Sequence, residues 1–383
     1  MIAVEIAFWL CVALIAYTHL GYPLVLFFLA RATGATPGQR KQSMPAESVA
    51  EQMPVVSLIV AAYDEAEVIA EKVTNVLALE YPRERLQLIV ASDGSTDATV
   101  EHAEAAGADV VLDLPRGGKI AAQNAAAGIA EGEVLAFSDA NCAWAPDALR
   151  RLVAPFADPS VGYVCGQVRF TDPSGGNLEG AYWRYEMAVR EMESSLAGIT
   201  AGNGAIYAVR SAEYVALPAS GSHDLSFPFA LAKRGLRSLY VPTAGAEEKM
   251  VPTLEGEFAR KRRMMAGIWD IVVGEGMLRP RGYSGLYAFE LISHRVLRYL
   301  TPFLHLLALA ANLVLLGRGW VYVATLAAQL ALLGAALLGR VLPLAPLRFA
   351  RYYAITTASI AAGLLDRARH GTPGAWEKAE GTR

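Results

Sequence analysis

The chain is poor in cysteine and in net charge. Its three cysteines, Cys11, Cys142 and Cys165, show no metal-ligand spacing, and an odd number cannot pair completely. A disulfide framework is therefore not expected, and reduced thiols are. The formal net charge of −3 gives no basic excess and no reason to expect nucleic acid as a partner. Charged residues make up only 19% of the chain, against 54% hydrophobic and a mean hydropathy of +0.30. So few charges exclude an ordinary soluble enzyme of this length and imply a mixed membrane and soluble protein. The first residues also lack a basic n-region, and the apolar run after them is too long for a signal peptide. An uncleaved anchor is expected instead.

Three apolar runs reach the roughly 20 residues that a spanning helix needs. They are Ile6 to Ala30, broken only by His19, then Tyr299 to Gly317, then Gly319 to Gly339. A fourth, Tyr352 to Leu365, is shorter and is preceded by Arg348 and Arg351. It either spans or lies in the interface. Arg31, Arg40 and Lys41 follow the first run, and His294, Arg295 and Arg298 precede the second. Basic flanks on both sides place the central domain in the cytosol, on the inner membrane of a multi-pass protein. The tail residues Arg367 and Arg369 favour an interfacial fourth helix.

The pattern divides the chain into an N-terminal transmembrane helix (1–31), a Pro-, Gly- and Ser-rich linker (32–53) and a cytosolic domain (54–257). A basic amphipathic segment (258–298), a hydrophobic helix cluster (299–366) and a polar tail (367–383) follow. Within the domain, "VVSLIVAAY" reads as a buried strand. "EAEVIAEKVTNVLAL" is helical, with Val68, Ile69, Val73, Val76 and Leu77 on one face. "LQLIVASDGS", "ADVVLDL" and "VLAFSDA" are further strands. "TDATVEHAEAA" starts a helix with Thr96 as N-cap, and "KIAAQNAAAGIAEG" is a helix stopped by Gly132. Alternating strands and helices predict an α/β, doubly wound, mostly parallel sheet. Ligands of such sheets bind beyond the carboxyl ends of the strands. Asp64 and Glu65, Asp93, and Asp139 stand at three of those ends. Turn formation explains any one of them. Three together point to a site.

The ordered set "VSLIVAAYDEAEVI", "LIVASDGSTDAT" and "RGGKIAAQNAAAGIAEGEVLAFSDANCAWAPDAL" resembles the family-2 glycosyltransferases of GT-A fold. "GYVCGQVRF", "AGNGAIYAVR" and "SHDLSFPFALAKRGLRSLYVP" extend the resemblance over most of the chain. Within that family it resembles the membrane-embedded bacterial polysaccharide synthases. The resemblance implies an inverting, metal-dependent transferase of hexosyl type that uses a nucleotide-sugar donor and Mg²⁺ or Mn²⁺. Its implied acceptor is lipid-linked or a polysaccharide, with membrane lipids as neighbours and a homo-oligomer or export partner as further possibilities. By position, Asp64 and Glu65 match the acidic residues near the donor nucleoside, and Asp93 the carboxylate on base or ribose. Lys119 matches a basic residue beside the phosphates. Asp139 and Asn141 match the metal motif, usually Asp-x-Asp, and Asp224 the catalytic base. Arg260 and Arg263, in "RKRRM", stand where processive members carry Gln-x-x-Arg-Trp.

The chemistry wants these residue types. Negative charge grows on a diphosphate leaving group, and a divalent cation and nearby basic side chains stabilise it. Hard cations take oxygen ligands and keep waters. Asp139 offers a carboxylate, whereas Asn141 offers a neutral amide. If Asn141 faces the cation, Asn141→Asp is expected to tighten metal dependence. Asp224 is the expected general base for the acceptor hydroxyl, with His223 as its rival. A single base implies direct displacement with inversion. A covalent route needs a second carboxylate on the other sugar face. Arg260 and Arg263 either grip phosphate or lie against anionic lipid. Gly202, Asn203, Gly204 and Trp269 are expected at the acceptor. Asn141 and the altered "RKRRM" leave two alternatives: a processive synthase with export, and a catalytically degenerate assembly subunit.

Overall fold

The computed structural model of the protein describes residues 1–34, 53–171, 178–249 and 254–371. Most of the expected linker and of the expected polar tail lies outside the described residues. The chain opens with an apolar helix, α1 (Ile2–Ala16) and α2 (Tyr22–Ala32), joined through a π-helical turn at Tyr17–Gly21. It then alternates through β1 (Val56–Ala62), α3 (Ile69–Leu77), β2 (Leu86–Asp93), α4 (Thr99–Ala105), β3 (Val110–Leu114), α5 (Lys119–Ile129) and β4 (Val134–Asp139). Next come β5 (Cys142–Trp144), α6 (Ala148–Val153), β6 (Val161–Thr171), α7 (Leu178–Ser195), β7 (Ile206–Arg210), α8 (His223–Ala232) and β8 (Arg237–Lys249).

Every residue of β1 is buried, so it needs cover on both faces. Period-2 alternation supplies it. Leu58 and Val60 join Ile69, Val73 and Val76 on one side of the sheet, while Ile59 joins Ala122, Ala126 and Phe137 on the other. Each such side chain contributes roughly 1.5–3 kcal/mol by leaving water. The strand order is β3-β2-β1-β4-β7-β6-β8-β5. The first four strands are parallel, as expected; β7 then runs antiparallel to both β4 and β6. The chain winds outward from β1 to β3 and returns to place β4 on the other side of β1. The β1–β4 edge is therefore the topological switch point.

The C-terminal part comprises α9 (Leu254–Val273), α10 (Gly285–Glu290), a π-helical turn at Leu291–Val296, α11 (Leu297–Leu315), α12 (Trp320–Leu338) and α13 (Ala345–His370). α9 runs unbroken across position 258, where the sequence pattern put a domain edge. Among the described residues, Ile2–Ala32, Gly285–Arg318 and Trp320–Leu338 are long and apolar enough to cross a membrane. α13 is not among them. It crosses α9 at Gly363, where a Cβ would lie 2.6 Å from that of Met265. Arg262 pairs with Asp366, Arg367 with Asp270, and the Lys261 ammonium donates to Tyr352 Oη at 2.6 Å.

One buried carboxylate joins the parts. Glu193 of α7 is fully buried. It accepts from Tyr22 Oη of α2 at 2.6 Å and from the Thr200 N–H at 3.2 Å, and its Oε1 lies 2.7 Å from His294 Nδ1. Arg295 Nε donates to Thr200 Oγ1 at 3.0 Å, and Arg298 pairs with Glu186 at 2.7 Å. Burial opposes the charge of Glu193, but His294 and Arg295 outweigh it and hold its pKa at about 2. Removing one member of such a network costs roughly 3–5 kcal/mol, because the others stay buried without it. Glu193→Ala is thus expected to lower the thermal unfolding midpoint sharply in detergent. An unchanged midpoint would show that the network carries no stability.

Candidate functional site

The loops after β1, β2 and β4 meet at the switch point. Asp64 adopts φ +48°, a left-handed conformation that aspartate tolerates better than most residues. Its Oδ1 accepts from the Thr96 N–H at 2.7 Å, and the Glu65 N–H donates to Thr99 Oγ1 at 2.7 Å. Asp64 and Glu65 thus bind the β1 loop to the β2 loop. This use of Thr96 corrects its expected N-cap role. The helix begins at Thr99, and Asp97 Oδ1 accepts the Thr99 N–H at 3.1 Å.

Asp93 ends β2 with its side chain buried. It accepts from Arg116 Nη1 at 2.7 Å, the Gly117 N–H at 2.7 Å and the Gly118 N–H at 2.8 Å. Both oxygens are engaged by the protein, and Asp93 anchors the Arg116–Gly118 loop. The Arg116 guanidinium lies 3.3 Å above the Tyr63 ring. That stacked pair is the more exposed feature of the edge.

Asp139 leaves β4 partly exposed and pairs with Lys119, the first residue of α5. Burial opposes the Lys119 charge, but the fields of Asp139, Asp224 and Glu248 outweigh it and raise its pKa. Lys119 thus pairs with Asp139 and also feels the charges of Asp224 and Glu248. β5 follows at once, held from beneath by α3. The buried Lys72 ammonium donates to Cys142 O at 2.6 Å, and Asn75 exchanges hydrogen bonds of 2.9 Å with both backbone groups of Trp144. Burial pulls the Lys72 pKa down to about 8, partly offset by Cys142 and Asp139. β5 pairs with the end of β8 and sets Cys142 opposite Glu248. Asn141 Nδ2 donates to Glu248 Oε1 at 3.3 Å. Burial, then the charge of Asp139, raises the Glu248 pKa. Sequence reasoning missed Lys72, Asn75, Arg116 and Glu248. The signal for Lys72 was a charge set among Ile69, Val73 and Val76, which are buried. Glu248 had none, because its place depends on pairing between distant strands.

Asp224 sits in the first turn of α8, where the helix dipole favours an anion. Ser222 Oγ donates to its carboxylate, and its carbonyl accepts the Gly202 N–H at 2.6 Å. A Cβ on Gly202 would lie 2.1 Å from Tyr163 Oη, so only glycine brings this loop against the Asp224 backbone. Asn203 is buried. Its Oδ1 accepts from Arg190 Nη1 at 2.6 Å, and its Nδ2 donates to Gly166 O. It braces the loop instead of facing an acceptor. A Cβ on Gly204 would meet nothing within 4 Å. Arg260 reaches the field of Glu248, and Arg263 is exposed. Trp269 turns away from this edge, with its indole N–H 3.4 Å from Ile360 O and its ring against Tyr299 and Phe303. Its expected place at the acceptor is corrected to the α9–α13 contact.

His223 lies inside the core rather than at the open edge. Its ring is buried among Phe137, Tyr207, Tyr214 and Phe227, with Nδ1 2.6 Å from Tyr207 Oη. Burial, with help from the Lys119 charge, pushes its pKa down from 6.5 to about 3. An unfolded His223 takes up a proton below pH 6.5, while the folded one stays neutral to about pH 3. Its contribution to stability is complete above pH 6.5 and is lost as pH falls toward 3. His223→Phe is expected to flatten the acid-side decline in stability by up to about 1.4 kcal/mol per pH unit. Thermal midpoints between about pH 6 and pH 4 check this, and an unchanged slope refutes it.

Comparison with known proteins bears on the family and the fold. Residues 57–216 match the family model described as glycosyl transferase family 2. Residues 138–341, more than half of the chain, match that described as glycosyl transferase family group 2. The glycosyltransferase AglE of Haloferax volcanii is 31% identical over 135 residues, 34% of this chain and 44% of that protein. A beta-monoglucosyldiacylglycerol synthase of Nostoc sp. is 29% identical over 258 residues, 59% of this chain and 53% of that protein. The chain thus spans about half the length of the curated relatives it matches. The mannosyltransferase PcManGT from Pyrobaculum calidifontis, solved with GDP-Man and Mn²⁺, superposes with a TM-score of 0.72 at 24% identity. The superposition covers 94% of this chain and 99% of that one, and it establishes the likeness of fold. The chain belongs to glycosyltransferase family 2.

Proposed function

We propose that this protein transfers a sugar from a nucleotide-sugar to a lipid-linked or polysaccharide acceptor at the cytosolic face of a membrane, with inversion at the anomeric carbon. The observation that carries the reading is the pairing of Lys119 with Asp139 at the sheet edge, with the charge of Asp224 also acting on Lys119. Asp224 is the base. Its carboxylate takes the proton of the acceptor hydroxyl as that oxygen attacks the anomeric carbon. The bond to the diphosphate breaks in the same step, so one displacement inverts the centre. Lys119, and Arg260 approaching from α9, supply positive charge toward the leaving diphosphate.

The oxygen donors at the Asp139–Asn141 turn suit a hard divalent cation. Asp139 and Asn141 would hold it, and when bound Mg²⁺ or Mn²⁺ neutralises charge developing on the diphosphate. Mn²⁺ in the solved mannosyltransferase supports the choice of metal. The curated relatives named for diacylglycerol glycolipid synthesis support a lipid acceptor. So do three apolar helices that fit a membrane beside the catalytic unit. Arg31, Arg295 and Arg298 flank them and favour the cytosolic side.

A screen of nucleotide-sugars with Mn²⁺ or Mg²⁺ and a membrane lipid extract tests the reading. Wild type is expected to transfer one class of sugar and to form a product of inverted anomeric configuration by NMR. Asp224→Asn and Asp139→Ala are each expected to lower turnover by roughly 10²–10⁴-fold, with unfolding midpoints near wild type. Wild-type turnover in either variant would remove that residue from its role.

A further inference from the structure

We propose that Glu248 supplies the second carboxylate of the cation site, taking over the charge that Asn141 lacks. The inference rests on the reading of the Asp139–Asn141 turn given above. Its basis is the strand pairing that ends the sheet. β5 begins one residue after Asn141, and its antiparallel register with β8 sets Cys142 opposite Glu248. A residue more than a hundred positions away in sequence thereby stands beside the turn that leaves β4.

The contact between the two side chains has a chemical direction. Asn141 donates an amide hydrogen to Glu248 Oε1 at 3.3 Å. An aspartate at 141 has no hydrogen to give when ionised and would face Glu248 as a like charge. The amide at 141 and the carboxylate at 248 are therefore a matched pair. Together with Asp139 they present two formal negative charges and an amide oxygen, a ligand set of hard oxygen donors. Lys119 answers this charge within the protein, since its ammonium pairs with Asp139 and also feels Glu248 and Asp224. Lys72 and Asn75 fix β5 from the other side and so hold the turn in register with β8.

On this proposal one variant has a different expected outcome from that given by the motif alone. Asn141→Asp by itself adds a charge against Glu248 and does not tighten cation binding. Exchanging the two groups keeps the charge count and is the discriminating variant.

The test is Mn²⁺ binding to the full chain in detergent, read from the EPR signal of the free aquo ion, with no donor present. Glu248→Gln and Asp139→Asn are each expected to weaken Mn²⁺ binding roughly 10–100-fold. Asn141→Asp alone is expected to bind no tighter than wild type. The double variant Asn141→Asp with Glu248→Gln is expected to recover most of the loss. Thermal midpoints show that each variant is folded. If Glu248→Gln binds Mn²⁺ like wild type while Asp139→Asn does not, Glu248 is only a hydrogen-bond partner of Asn141. The metal reading of the site then stands without it. If wild type and Asp139→Asn bind alike, the metal reading falls, and this inference with it.

Discussion

The buried carboxylate of Glu193 is the constraint on which the arrangement of the molecule depends. It accepts from the anchor helix through Tyr22 and from the catalytic unit through Thr200, and it meets the second apolar helix at His294. A charge so deeply placed is tolerated only with its partners present. The three parts can therefore not slide independently without stranding it. The two π-helical turns lie at this level, with Tyr17 Oη 2.9 Å from Ser293 Oγ. Such turns recur at functional sites. Here they adjust the faces of two apolar helices so that polar groups converge.

The same network reaches the catalytic edge. Thr200 begins the loop that continues to Gly202, whose N–H holds the carbonyl of Asp224. The proposed base is thus braced against a segment that is itself tied to the membrane helices. Across the edge, the opposite charge is held by Lys119, which pairs with Asp139 of β4 and feels the charges of Asp224 and Glu248. The site is organised by charge balance among strand ends more than by any single motif.

Much of this was legible in the chain itself. The period-2 run of β1 and the helical stripe of α3 depend on neighbours a few residues apart, and both were read correctly. So were the strand-end positions of Asp64, Asp93 and Asp139, because a doubly wound sheet delivers its turns to one edge. Residue roles were less legible. Asp93 looked like a ligand group, yet its oxygens are taken by Arg116, Gly117 and Gly118. Asn203 was expected at the acceptor, yet it is buried and braces Arg190 and β6. His223 stood beside Asp224 in sequence, but one helical step turned it into an aromatic core. A motif marks where a residue lies along the chain, and hydrogen-bond partners decide what remains for a ligand.

The sequence by itself determined the class of sheet, the three apolar spans, the switch-point carboxylates and the family. These follow from local periodicity, run length and an ordered set of short segments. Only the tertiary structure decided that α13 lies along α9, that Trp269 faces that helix, and that Glu248 stands beside Asn141. The reason is the same in each case. Contacts between residues far apart in the chain are chosen by which faces are left to bury and which charges are left to pair. That choice exists only once the sheet has closed in its order β3-β2-β1-β4-β7-β6-β8-β5. The apparent deficit at Asn141 belongs to the chain, and the carboxylate set against it belongs to the fold.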